Sequence, residues 1–185
     1  MVEGNDVYVA GALYDPANKE KYPAVWKNGN LFFLGKGSGW DMINDIRSYY
    51  GSLYYAGNQC DEGGGGPDAR IWKNNTVLYD LTGGCVWAPV YNMAFKGSDL
   101  YAVGNRCRRD TGGDVIFDGA IWKNGEIMWA IEDTEQTSIA IIGDDIYTAG
   151  IVETSDGKLA QIWKNGKVYQ TFDYCQEVLL INACN

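Results

Sequence analysis

The decapeptide AVWKNGNLFF, Ala24–Phe33, holds two apolar runs around the phrase Trp-Lys-Asn-Gly. Asn-Gly between apolar runs is a strong hairpin signal, because a two-residue type I′ turn needs positive φ at both central positions. The same phrase returns as IWKNN at Ile71 and as IWKNG at Ile121 and Ile162. A phrase used four times in 185 residues points to a repeat architecture.

A second phrase travels with the first. DVYVAG begins at Asp6, SLYYAG at Ser52, DLYAVG at Asp99 and DIYTAG at Asp145. The last glycines of these phrases, Gly11, Gly57, Gly104 and Gly150, are 46, 47 and 46 residues apart. A third phrase, NMAFKG from Asn92 and SIAIIG from Ser138, precedes two of them, and DIRSYYG from Asp45 is a looser version. Each repeat therefore reads as four short strands, A to D. The WKNG phrase makes the C–D hairpin, and a turn such as Gly143-Asp144-Asp145 joins A to B.

Four-stranded units of about this length match the blades of a β-propeller. The expected fold is all-β: a four-bladed β-propeller of four-stranded antiparallel blades. Blade 1 covers residues 1–36 together with 177–185, blade 2 covers 44–82, blade 3 covers 91–132 and blade 4 covers 137–173. The chain starts on a strand B and ends on EVLLIN, Glu177–Asn182, an orphan strand A. From Ile146 through the C-terminus and on to Val7 is one repeat, 46 residues. The C-terminal strand is thus expected to complete the first blade, closing the ring and removing its sheet edges. In architecture this resembles hemopexin-like domains, without their sequence motifs. DVYVAG and WKNG are also similar to repeats of uncharacterised propeller-like proteins. The resemblance covers almost the whole chain, and it implies the fold but no particular activity.

Composition narrows the function. The chain carries a net charge of −9, which disfavours nucleic acid and anionic membranes as partners. No apolar run approaches a membrane span. There is no histidine, which removes Ser-His-Asp and Cys-His nucleophile systems and every histidine metal site. The five cysteines, at 60, 85, 107, 175 and 184, form no CxxC pair. In a strand-rich chain they lean toward disulfides and a secreted location. Asn74-Asn75-Thr76 matches an N-glycosylation acceptor at a turn tip.

The turn end of the repeats is nearly invariant and reads as scaffold. Asp6, Asp99 and Asp145 read as turn residues, and Lys27, Lys73, Lys123 and Lys164 as solvated ones. Trp26, Trp72, Trp122 and Trp163 occupy one strand-C position and read as packing between blades. The B–C and D–A loops differ from blade to blade, so they form the expected binding face. Trp40 and Trp87 lie in corresponding loops there, beside Asp41 and Tyr91, and suit ring stacking. Asp61, Glu62, Arg106 and Arg108 complete the candidate ligand-binding set. No catalytic residue, metal ligand or cofactor is assigned. Ca²⁺ is the one ion that loop carboxylates such as Asp110, Asp114 and Asp118 could take, although their spacing is not that of an EF-hand.

The leading expectation is a non-catalytic, secreted recognition module whose loop face binds a glycan or a protein. A structural subunit of a larger homo-oligomeric assembly is the first alternative. A carboxylate-based glycan-active enzyme is the second, since glycoside hydrolysis needs only two acids.

Overall fold

In the computed structural model of the chain, residues 1–36, 41–60, 68–81 and 88–172 are described. They fold as four four-stranded antiparallel sheets. The chain divides into two units, Met1–Val90 and Tyr91–Asn185, with two sheets to each. The first unit holds β1 (Val2–Glu3), β2 (Asp6–Asp15), β3 (Glu20–Lys27) and β4 (Asn30–Leu34), then β5 (Met42–Tyr49), β6 (Ser52–Gln59), β7 (Asp68–Lys73) and β8 (Thr76–Asp80). The second holds β9 (Val90–Lys96), β10 (Asp99–Arg109), β11 (Val115–Lys123) and β12 (Glu126–Ile131), then β13 (Thr134–Ile142), β14 (Asp145–Thr154), β15 (Gly157–Lys164) and β16 (Lys167–Phe172).

Within every sheet the order follows the chain. The repeated phrases fall in the same register each time. Tyr8, Tyr54, Tyr101 and Tyr147 face Lys27, Lys73, Lys123 and Lys164 across the ladder. The next pairs are Val9–Trp26, Tyr55–Trp72, Ala102–Trp122 and Thr148–Trp163. The last hairpin of each sheet shifts register just before that tryptophan.

The turn chemistry is as read. Asn28, Asn74, Asn124 and Asn165 have φ of 50°, 47°, 52° and 51°, followed by Gly29 at 81°, Asn75 at 71°, Gly125 at 90° and Gly166 at 75°. These are the left-handed values that a two-residue hairpin turn requires, and Asn tolerates them better than other non-glycine residues.

Alternating side chains build the core of each unit. In the first, Tyr8, Val25 and Phe33 pack against Ile43, Leu53, Tyr55 and Trp72. Phe33 lies 5.3 Å from Tyr55 and 6.0 Å from Trp72, centroid to centroid. Burial pushes the Tyr55 hydroxyl pKa up to about 12. In the second unit Tyr101, Val103 and Ile121 pack against Ile139 and Ile146. Trp72, Trp122 and Trp163 are buried, whereas Trp26 is half-buried.

Two of the phrase-ending glycines, Gly57 and Gly150, are a packing requirement. A Cβ on Gly57 would strike the Met42 carbonyl, and one on Gly150 the Glu135 carbonyl. Both carbonyls belong to first strands that shift register at this point, between Ile43 and Asp45 and between Gln136 and Ser138. The irregularity presses the first strand onto its neighbour, and only glycine leaves room.

In the first sheet this place is held differently. Among the described residues Val2–Glu3 pairs only with Asp6 and Val7, with Met1 bonded to Tyr8 beyond them. The first sheet thus has a short first strand of its own, where the sequence reading starts the chain on strand B. The expected closing strand, 177–185, lies outside the described residues.

Replacing Gly150 by Ala should destabilise the protein by about 1–3 kcal/mol, the usual cost of overpacking, read as a lower urea midpoint at unchanged m-value.

Candidate functional site

The repeat-invariant polar residues are joined to one another, which changes how they read. Asn28, on the turn after β3, donates its backbone N–H to the Val7 carbonyl (2.9 Å) and accepts the Val7 N–H on its side-chain oxygen (2.8 Å). Asn74 does the same with Leu53, Asn124 with Leu100 and Asn165 with Ile146. The side chain thus stands in for one more residue of the ladder.

The aspartates and lysines complete the brace. Nδ2 of Asn28, Asn124 and Asn165 donates to Asp6, Asp99 and Asp145, each at 2.8 Å. The other carboxylate oxygen takes Lys27 at 2.7 Å, Lys123 at 2.8 Å and Lys164 at 2.8 Å. Each ammonium, and that of Lys73, also lies 5.3–5.6 Å from the centroid of its facing tyrosine ring. The lysines are therefore not simply solvated, as the sequence reading had them. Register carries each one back over strand B, onto its Tyr and, in three repeats, onto its Asp.

Hydrogen bonds from Lys and then Asn hold the three carboxyls below their ordinary pKa of 3.8. Bonds to Asp and then Tyr raise the lysines above 10.5. A carboxyl with a depressed folded pKa contributes stability above its unfolded value and loses it as pH falls through the folded one. A lysine with a raised folded pKa does the reverse at high pH. Stability from these braces should therefore stay level through neutral pH, then fall below about pH 4 and above about pH 10. An Asp99→Asn/Lys123→Met variant should show a weaker slope in both windows by denaturation across pH.

The opposite end carries the candidate loop residues. Trp40, Trp87, Asp61 and Glu62 lie outside the described residues. Asp41 is fully buried, and its Oδ1 accepts the Cys60 amide at 2.7 Å. Its carboxylate faces inward onto the Cys60 backbone at the end of β6. Tyr91 is half-buried on β9 and donates its hydroxyl to Glu135 at 2.8 Å. Burial, then the neighbouring carboxylate, raises the Tyr91 pKa well above the usual phenol range. It remains a protonated donor, fixed toward β13.

Arg106 and Arg108 both reach Oδ2 of Asp118, at 3.2 and 2.8 Å. Register explains it: Arg106 stands opposite Asp118 on the β10–β11 ladder, and Arg108 follows two residues on along the same face. Asp118 is fully buried. The two candidate arginines thus lie at the far end of a long hairpin cross-linked by one carboxylate. Asp110 instead accepts the amides of Gly112 (2.9 Å) and Asp114 (2.8 Å). Asp110 and Asp118 thus serve separate purposes. Cys107, between the two arginines, is disulfide-bonded, and no such bond joins two described cysteines.

Sequence reasoning missed one concave surface. In the first unit a cavity of about 550 Å³ runs between the β2 edge and β5. Tyr8, Val9 and Ala10 form one wall, and Asn44, Ile46 and the bonded pair Asp45–Arg47 (2.9 Å) form the other. It has the mixed lining that suits an extended chain of residues or sugars. Only its place beside the short strand β1 could have signalled it.

Compared with known proteins, the chain matches no family and no curated protein.

Asp118→Ala should cost about 2–3 kcal/mol in urea denaturation. That is less than the ~3–5 kcal/mol of a fully buried pair, because the guanidiniums it releases keep 29% and 35% of their exposure.

Proposed function

We propose that this chain is a non-catalytic recognition module working outside the cell. In this reading its four sheets are the blades of one four-bladed propeller, and the variable loop end binds a glycan or a protein. One observation carries the reading. The polar residues that recur in the repeats are engaged with one another at the turn end, so what distinguishes one repeat from the next gathers at the other end. A rigid frame with differing loops at one end is the usual layout of a binding module. The Cys107 disulfide supports an oxidising location.

The propeller reading includes ring closure by residues 177–182 on the free part of the β2 edge. Gly11 supports it. This residue holds the ladder place of Gly57 and Gly150, yet among the described residues nothing lies within 4 Å of its Cβ position. A glycine there is explained if a strand lies over it, along the wall formed by Val9 and Ala10. Gly11→Ala should then destabilise the protein by about 1–3 kcal/mol, as expected of an overpacked site. An unchanged urea midpoint would rule this closure out.

The module reading is tested by a glycan array of the intact protein beside Trp40→Ala and Trp87→Ala. Selective glycan binding weakened roughly tenfold or more in either variant, about 1.4 kcal/mol, is the expected result. A second reading, a subunit of a larger assembly, is favoured by the apolar outer strands, where Leu31, Leu34, Val77, Ile127, Val168 and Tyr169 are exposed. A protein that binds neither glycan nor protein partner and elutes as a high oligomer would establish it instead.

A further inference from the structure

We propose that Asn74 is an N-glycosylation site, an inference that rests on the extracellular reading. Asn74-Asn75-Thr76 is the chain's single Asn-x-Ser/Thr sequence, and it falls on one of the four equivalent turns. The comparison among those turns carries the proposal. In the other three, the Asn side-chain nitrogen is held at 2.8 Å by a carboxylate, Asp6, Asp99 or Asp145. In the second repeat Ser52 takes the aspartate's place, and Asn74 Nδ2 donates only a long hydrogen bond, 3.4 Å, to its neutral hydroxyl. Here alone the reactive nitrogen is held by a long bond to a neutral hydroxyl and not by a short bond to a carboxylate.

The rest of the brace stays. Asn74 Oδ1 still accepts the Leu53 amide at 2.9 Å, so the side chain keeps the orientation of the other three turns, with Nδ2 on the Ser52 side. Asn74, Asn75 and Thr76 are all exposed. Asn75 replaces the glycine of the other turns while keeping positive φ, and Tyr55 donates to it at 3.1 Å. The substitutions Ser52, Asn75 and Thr76 thus convert a sealed turn into an acceptor without loss of turn geometry. A sugar here would project from the turn end, opposite the variable loops, and leave the proposed binding face uncovered.

In the reaction Nδ2 attacks the anomeric carbon of a polyprenyl-diphosphate-linked oligosaccharide. The C–N bond forms, the anomeric C–O bond breaks, the polyprenyl diphosphate leaves, and Nδ2 gives up one proton.

The test is secretion of the full chain from eukaryotic cells behind a leader, with intact mass and peptide mapping before and after peptide N-glycosidase. The expected result is a loss of oligosaccharide mass with Asn74 read as aspartate. Thr76→Ala should abolish the modification and Asn75→Gly should retain it. Thiol alkylation before and after reduction reports Cys107 in the same samples. A secreted protein with Cys107 oxidised and Asn74 bare would overturn this proposal and leave the extracellular reading standing. Cys107 found as a free thiol in that protein would overturn the extracellular reading itself.

Discussion

Each sheet depends on an asparagine side chain that behaves as backbone. Asn28, Asn74, Asn124 and Asn165 sit in left-handed conformations that few residues accept, and each exchanges two hydrogen bonds with one residue of the preceding strand. The turn thereby fixes the hairpin it belongs to and the register of that hairpin on its neighbour. A one-residue slip would send every core side chain to the opposite face. Tyr8, Val25 and Phe33 could then no longer meet Leu53, Tyr55 and Trp72.

Charge is layered on this constraint. The Asp and Lys residues of three repeats add an ion pair and a cation–π contact at the same place, all half in solvent. Such pairs contribute little singly. Their consistent geometry matters more for specifying which strand end meets which turn. The second repeat, with Ser52 and Asn75, keeps the asparagine bonds without the carboxylate. The asparagine is therefore the necessary part and the ion pair an addition.

The repeat, its four strands and the Asn-Gly turns were legible in the sequence because each depends on local pattern. Gly11, Gly57, Gly104 and Gly150 revealed the period but not its cause. At Gly57 and Gly150 the need for glycine arises from an irregularity in the preceding strand, between Ile43 and Asp45 and between Gln136 and Ser138. The lysines were misread for a related reason, since their partners become apparent only once Tyr and Lys are known to be paired across the ladder. Asp41 and Asp118 show the limit on the site side. A loop carboxylate that binds a ligand and one that holds a loop or an arginine pair look alike until burial is known. The variable loops were legible as variable, and composition alone cannot name what they hold.

Amide hydrogen exchange, followed residue by residue by NMR, tests the central claim most directly. Among the described residues, the N–H groups of Val7, Leu53, Leu100 and Ile146 donate to asparagine side chains. If those side chains act as ladder residues, all four amides should exchange as slowly as the interior strand amides beside them. Exchange at unprotected rates in the folded protein would contradict the account.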